Sequence, residues 1–169
     1  SQETLDVFKI SNTKDEIVFP SYRDGELVRV KYVSIHRTPE GKKIINVTKD
    51  SEPCLFGWQA FDKDVRIICL TEGEIDAMTL HQYQVVFKDS GGISKKFGFL
   101  SVPMGGGKGA KHDWVQHEFD RLSVYDEIFL CMDNDKAGEE AVVELLERLG
   151  LERCRIVRLP YKDANECLQ

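Results

Sequence analysis

The sequence contains no apolar run long enough to cross a membrane, and its first ten residues, SQETLDVFKI, are too mixed and polar for a signal peptide. It also contains no internal repeat, no low-complexity tract and no proline-rich linker. These absences argue against a membrane-spanning, secreted or repeat protein. We therefore expect a soluble intracellular protein, and 169 residues are enough for one domain or slightly more.

Paired cysteines are missing as well. None of the five cysteines forms a CxxC pair, and no cysteine–histidine spacing completes a zinc site. Cys69 and Cys131 lie inside apolar runs, which predicts buried thiols, and an odd count without a pattern is typical of a reducing compartment.

The chain also lacks a net positive charge. The formal charge of −6 argues mildly against a general nucleic-acid-binding protein, which is usually basic. A basic strip on one face of an acidic protein remains compatible with that charge.

The first part of the chain predicts β-hairpins. Two strand-like runs flank Asp24-Gly25, a good turn signal, and a third run, KKIINVT, follows Gly41. We interpret residues 17–48 as a small antiparallel sheet. The composition changes near residues 61–66, so we predict an N-terminal β-rich subdomain over residues 1–62 and a second domain over residues 63–169.

The second part predicts an α/β fold with an open, mainly parallel sheet flanked by helices. Its strand candidates are short and almost continuously apolar: RIICLT, FGFLSVP, EIFLCM and RIVRLP. Apolar residues at helical spacing predict helices over residues 74–82, 112–122 and 136–149. The final DANECLQ resembles the start of a further helix, so we expect the chain to belong to a longer protein.

Two acidic clusters directly follow apolar strands. Glu72, Glu74 and Asp76 follow RIICL, and Asp133 and Asp135 follow EIFLCM. Because the functional crevice of an open α/β sheet lies at the carboxyl ends of its strands, both clusters should reach the same edge. Acidic residues after strands also serve as helix caps and solvated charges, and either cluster alone leaves that reading open.

Converging carboxylates repel one another unless a cation lies between them. All-oxygen ligands favour Mg²⁺, with Mn²⁺ also suitable, and Mg²⁺ leaves positions for water and substrate phosphates. The acids therefore predict a divalent-metal site that acts on phosphoryl chemistry, and no zinc is expected.

The segments LTEGEIDAMTL, CMDNDKAGEEAV and LPYKDANECL together resemble the Toprim domain, most closely that of phage-type primase-helicases and the Twinkle-like family. YRDGELVRVK and LFGW resemble, more loosely, the region that precedes it there. The resemblance implies a DNA primase domain that uses Mg²⁺ and ribonucleoside triphosphates to synthesise RNA primers on single-stranded DNA. It also implies a zinc ribbon and a hexameric helicase elsewhere in the parent chain, and the cytoplasm of a bacterium or phage-infected cell.

The resemblance assigns roles at matching positions. Glu72, Asp133 and Asp135 would be catalytic and hold the metal, and Asp76 would support them. Nucleotide or DNA contacts would come from basic residues of the predicted N-terminal hairpins and from the K-D-A-N-E segment, residues 162–166. These candidates are Arg29, Lys31, Lys43, Lys162, Asp163 and Asn165.

Other readings stay open. The glycines of VPMGGGKG do not form a Walker A loop, and they predict either backbone contacts to phosphate or a mobile loop. Trp58 and Trp114 are compatible with base stacking, although packing is favoured. A Toprim domain also occurs as a nuclease, as part of a topoisomerase, or as a silent DNA-binding module. A DxD-type phosphatase ranks low because the motif comes late in the chain.

Overall fold

The computed structural model describes residues 1–89 and 95–168, apart from the side chains of residues 85–89 and 168. It contains two four-stranded sheets, an antiparallel one followed by a parallel one. Its helices are α1 (Gln2–Val7), α2 (Glu74–Asp89), α3 (Trp114–Ser123) and α4 (Lys136–Leu149). No helix among the described residues is long and apolar enough to cross a membrane.

The antiparallel sheet contains β1 (Ser11–Asn12), β2 (Glu16–Arg23), β3 (Glu26–Arg37) and β4 (Lys43–Val47), in that order. The β2–β3 turn is the predicted one. Asp24 has φ 51° and Gly25 has φ 88°, and the adjacent Arg23 and Glu26 are paired. Two central residues with positive φ form the tight turn that suits strand twist.

The second sheet contains β5 (Ile67–Thr71), β6 (Phe97–Ser101), β7 (Glu127–Cys131) and β8 (Cys154–Ile156). All its pairings are parallel and its order is β6-β5-β7-β8. The predicted α/β fold with a mainly parallel sheet is thus confirmed. The last strand is shorter than its apolar pattern predicted, because only Cys154–Ile156 pairs with β7.

The helices follow the predicted periodicity with shifts at two ends. α2 continues to Asp89, and α3 begins at Trp114 because Gly109–His112 forms a separate 3₁₀ turn. α4 matches its prediction at both ends. The Asp135 side chain caps its first turn, and Gly150 follows its last.

Apolar side chains cover both faces of the parallel sheet. Ile68, Leu130 and Leu145 belong to the cluster that α3 and α4 complete, whereas Cys69 and Cys131 belong to the one beneath α2. Both cysteines are buried and free, as predicted.

Trp58 and Trp114 pack in the core, as the favoured interpretation of the sequence expects. Trp114 is 1% exposed and Trp58 is 9% exposed, and both belong to the larger core cluster. Trp114 therefore has no surface on which a base can stack.

Buried polar contacts connect the antiparallel sheet to the parallel one. Glu118 of α3 is fully buried, accepts a hydrogen bond from Trp58 Nε1 at 3.1 Å, and contacts Arg23 of β2 at 3.3 Å. A carboxylate removed from water in this way needs its partners. The two sheets are thereby fixed in one arrangement, which positions the basic face of β3 next to the carboxyl edge of the parallel sheet.

Candidate active site

The acidic residues emerge side by side from neighbouring strands. β5 and β7 are directly paired, with Thr71 opposite Cys131. Glu72 follows the first of these two residues by one position, and Asp133 follows the second by two. The register of the sheet therefore brings both predicted clusters to one edge.

The carboxylates at this edge influence one another. Burial, followed by the charges of Glu72 and Asp76, raises the pKa of Asp133 to about 6, while Lys162 opposes that rise. Burial also raises the pKa of Asp76. A half-buried carboxyl whose pKa is raised by burial and by neighbouring acids favours a bound cation.

Glu72 lies against the glycine-rich loop, which comprises residues 102–109. Its Oε2 atom is buried and has no hydrogen-bond partner among the described residues, and a Cβ atom added at Gly106 would lie 2.5 Å from it. An unpaired buried carboxylate oxygen lowers the stability of the fold and is typical of an atom that binds a cation or takes part in catalysis. Because glycine has no side chain, Gly106 leaves room for the Glu72 carboxylate.

The loop that contains Gly106 is tied to the fold. The side chain of Lys111 donates to the Gly106 carbonyl at 2.7 Å, and the Gly107 amide donates to the Ala137 carbonyl at 2.9 Å. His112 is fully buried, and its Nε2 atom lies 2.8 Å from the Gly107 carbonyl. These contacts hold the loop against Glu72 and connect it to α4.

Asp135 serves locally as a helix cap. Its Oδ1 atom accepts a hydrogen bond from the Gly138 amide at 3.0 Å, in the first turn of α4. The backbone at Gly138 passes so close to Asp133 that an added Cβ would lie 2.1 Å from the Asp133 carbonyl. The DxD turn is therefore held by the start of α4, and the second oxygen of Asp135 is left for another role.

The K-D-A-N-E segment closes over the same edge. The Asn134 side chain donates to the carbonyls of Leu159 and Tyr161, both at 2.6 Å. The backbone amide of Asn134 donates to the Lys162 carbonyl at 2.7 Å. Lys162 Nζ lies 3.7 Å from Asp133. Asn134 therefore places the lysine beside the acids.

Two further residues of this segment were predicted to contact nucleotide or DNA. Asp163 accepts a hydrogen bond from the Glu166 amide at 2.8 Å, and its charge contributes to the raised pKa of Asp133, after burial and the nearer acids. The backbone amide of Asn165 donates to Asp76 at 3.1 Å. Both residues thus reach the acidic edge.

The three basic candidates of the antiparallel sheet face this edge to different degrees. Lys31 Nζ contacts both carboxylate oxygens of Glu74, at 2.8 and 2.9 Å. Arg29 is 8% exposed and its Nη2 atom lies 3.8 Å from the sulfur of Met104 in the glycine-rich loop. Lys43 is exposed, but lies near enough to Asp76 to oppose the burial that raises that pKa.

These residues suit a hard divalent cation. The donor atoms at the edge are carboxylate oxygens, one of them buried and unpaired. Among the side chains described, no three His, Cys, Asp or Glu residues converge closely enough to form a complete ligand set. Mg²⁺ fits such a site because it commonly takes one or two carboxylates and completes its shell with water and phosphate oxygens.

The sequence assigned no individual role in this site to four residues: Glu74, Gly106, His112 and Asn134. Glu74 does belong to the predicted acidic cluster, and Gly106 to the predicted glycine-rich loop. Asn134 is the middle residue of the DxD motif, a position that offered a signal, whereas the partner of Glu74 is 43 residues away in sequence. Their roles depend on which segments meet in space.

The chain is similar in sequence and in fold to known proteins. The family model described as Toprim-like matches residues 69–168. The chain is 28% identical to a Twinkle homolog protein, chloroplastic/mitochondrial, of Arabidopsis thaliana, over 99% of this chain and 24% of the relative. It is 34% identical to the DNA helicase/primase of Enterobacteria phage T3, over 59% of this chain and 16% of the relative.

The primase fragment of the bacteriophage T7 primase-helicase protein has a similar structure. The TM-score is 0.74 at 26% identity, covering 99% of this chain and 65% of the T7 fragment. The chain spans about a quarter or less of the length of the two relatives described above.

Proposed function

The chain belongs to the Toprim-like family, and from that premise we propose that it is the catalytic domain of a DNA primase. In this proposal it transfers ribonucleotides to a 3′-hydroxyl, directed by a single-stranded DNA template, and releases pyrophosphate. The similarity to phage primase-helicases supports the primase class.

The observation that carries the proposal is the pairing of an acidic edge with a basic strand. Glu72, Asp76 and Asp133 interact electrostatically at the carboxyl ends of β5 and β7. Lys31 and Arg29 approach this edge from β3. Phosphoryl transfer to a hydroxyl needs both a metal-binding acidic site and cationic groups for the triphosphate and template.

Each side chain has a proposed task. Glu72, with its unpaired buried oxygen, binds the metal or accepts the proton of the attacking 3′-hydroxyl. Asp133 and the free oxygen of Asp135 complete the protein's share of the ligands, and Asp76 supports them. A divalent cation bound there would polarise the α-phosphate and stabilise the leaving pyrophosphate.

The cationic residues bind the nucleotide and the template. Lys31 and Arg29 approach from the antiparallel sheet, Lys43 lies near Asp76, and Lys162 lies next to Asp133. Asp163 and Asn165 hold the K-D-A-N-E segment near the nucleotide.

The architecture and partners are part of the same proposal. Residues 1–62 form the N-terminal β-rich subdomain and residues 63–169 the Toprim domain, with the active site between them. A zinc ribbon and a hexameric helicase in the parent chain recognise and deliver the template, in the cytoplasm of a bacterium or a phage-infected cell. The T3 relative, named a DNA helicase/primase, supports the association of the primase with a helicase.

Primer extension tests the proposal directly. The chain is mixed with single-stranded DNA, a labelled complementary diribonucleotide, ribonucleoside triphosphates and Mg²⁺, so that no zinc ribbon is needed to start a primer. We expect extended products that disappear with a chelator and in Asp133→Ala. Asp120→Ala, on the exposed surface of α3, is the matched control and retains extension.

The same reactions separate the alternatives. Shortened DNA without primer extension, lost in Asp133→Ala, would replace the primase with a nuclease. No product, and no stabilisation by Mg²⁺ relative to Asp133→Ala, would instead indicate a silent DNA-binding module.

A further inference from the structure

A cavity of about 500 Å³ lies at the edge of the parallel sheet opposite the candidate active site. Phe61 and Lys63, which precede β5, and Tyr125, which precedes β7, form part of its wall. Strands of five residues separate the two edges by roughly 17 Å. The cavity is therefore distinct from the candidate active site.

A fixed cationic plane forms part of this cavity. The Arg121 guanidinium lies over the Trp58 ring, with 4.3 Å between its central carbon and the ring centroid. Ion pairs of 3.7 Å to Glu118 and to Asp24 hold it there, and its side chain is 25% exposed. A guanidinium that lies on an indole in the lining of a cavity offers a flat cationic group beside which a ring can stack.

Two lysines line the cavity together with Asp24 and Asp62. Lys63 is exposed at the wall, and Lys9 lies over the Tyr22 ring at 4.2 Å from its centroid. Aromatic surfaces combined with lysines are how proteins bind single nucleotides of a flexible strand.

We infer that this cavity binds a nucleobase that carries a phosphate group. The base stacks on the Arg121–Trp58 pair, and Lys9 and Lys63 bind the phosphate. The volume suits a ligand of that size. A free nucleotide and a nucleotide within single-stranded DNA have this chemistry in common. The site does not depend on the polymerising activity.

The indole signals of the two tryptophans provide the test. In a ¹⁵N–¹H NMR spectrum, Trp58 reports on the cavity and the fully packed Trp114 is the internal reference; Trp58→Phe assigns the signals. The titrations use thymidine monophosphate and a thymidine oligonucleotide, with a chelator present to silence the acidic edge. We expect a saturable shift of Trp58 and none of Trp114.

Paired variants locate the binding. Lys63→Glu combined with Val124→Glu places two negative charges at the cavity, where Val124 is 56% exposed, and should weaken binding at least ~10-fold. The matched control combines Lys14→Glu with Val143→Glu, where Val143 is 57% exposed on α4, and should leave binding unchanged.

The probes separate the two sources of ligand. Saturation by the oligonucleotide at a much lower concentration than by the mononucleotide assigns the site to a single strand, and similar affinities assign it to free nucleotides. A Trp58 signal that neither probe shifts would overturn the inference. So would a shift that persists in the paired variant, or one that disappears in Glu72→Gln, because each would place the ligand elsewhere.

Discussion

Gly106 touches the carboxylate of Glu72 at a distance that leaves no space for a side chain. A Cβ atom at this position would lie 2.5 Å from Oε2 and 2.8 Å from Oε1. The glycine-rich loop, which is not a Walker A loop, thus helps to determine where the first acid of the site can lie. The glycine is needed here for close approach, whereas positive φ values occur at Gly105, Gly107 and Gly109.

Gly106→Ala should therefore displace Glu72 without unfolding the domain. We expect primer extension to fall by about 100-fold, since a misplaced catalytic group costs that order of rate. The melting temperature should stay within a few degrees, about 1 kcal/mol for a domain of this size. Ala110→Ser is the control beside the same loop, because Ala110 is exposed. Equal loss of extension in both variants would contradict the specific contact with Glu72.

The sequence predicted the elements that carry the acids better than the contacts that hold them. Short apolar strands followed by acids at a common edge come from local patterns and the parallel register, so Glu72 and Asp133 were expected to meet. The pairing of Lys31 with Glu74 spans 43 residues and depends on how the two sheets pack. Long-range packing of this kind leaves no periodic signal in one sequence.

His112 illustrates the same limit. A lone histidine near a helix start gave no reason to assign a role, but the structure buries it completely against Gly107. The sequence pattern predicted that α3 begins at His112, but in the structure His112 is the last residue of a 3₁₀ turn. A tertiary hydrogen bond has here overridden a helical pattern, and it does so at the loop that contacts Glu72.

Because Lys31 pairs with Glu74, substituting Lys31 should change both stability and nucleotide binding, and the two effects can be measured separately. Lys31→Ala leaves the 8%-exposed Glu74 without its cation and should lower the free energy of unfolding by about 1–3 kcal/mol. Adding Glu74→Gln should recover most of that loss, measured by urea unfolding. If Lys31 also binds the triphosphate, the KM for ribonucleotides stays raised in the double variant. A KM that recovers together with stability would restrict Lys31 to a structural role; Lys14→Ala is the exposed control.

Asn134 connects the DxD turn to the K-D-A-N-E segment, and its side chain makes the two hydrogen bonds of 2.6 Å that hold Leu159 and Tyr161. Asn134→Ala should lower the free energy of unfolding by about 1–2 kcal/mol and increase the rate of amide exchange in residues 159–166. Asn165→Ala is a suitable comparison, because the described hydrogen bond of Asn165 to Asp76 uses its backbone amide. Unchanged exchange in Asn134→Ala would show that the segment is held by other contacts.

The raised pKa of Asp133 makes the metal-free protein less stable as the pH rises. Burial and the neighbouring acids raise this pKa from 3.8 to about 6, so the folded state holds the proton more tightly than the unfolded state does. The free energy of unfolding contributed by Asp133 is therefore largest below pH 4, decreases between about pH 4 and 6, and remains lost above pH 6. Because the carboxyl is about half buried, we expect a loss of about 1 kcal/mol after screening by solvent.

Asp133→Asn removes this titration and tests it. In urea unfolding with a chelator present, the stability difference between pH 4 and pH 7 should be about 1 kcal/mol smaller in Asp133→Asn than in the unsubstituted protein. Asp120→Asn, on the exposed surface of α3, should keep the full difference. Mg²⁺ at pH 7 should stabilise the unsubstituted protein more than Asp133→Asn, because the cation offsets the repulsion that the ionised acid creates. An identical pH dependence in the three proteins would mean that Asp133 is not the group whose charge the fold disfavours.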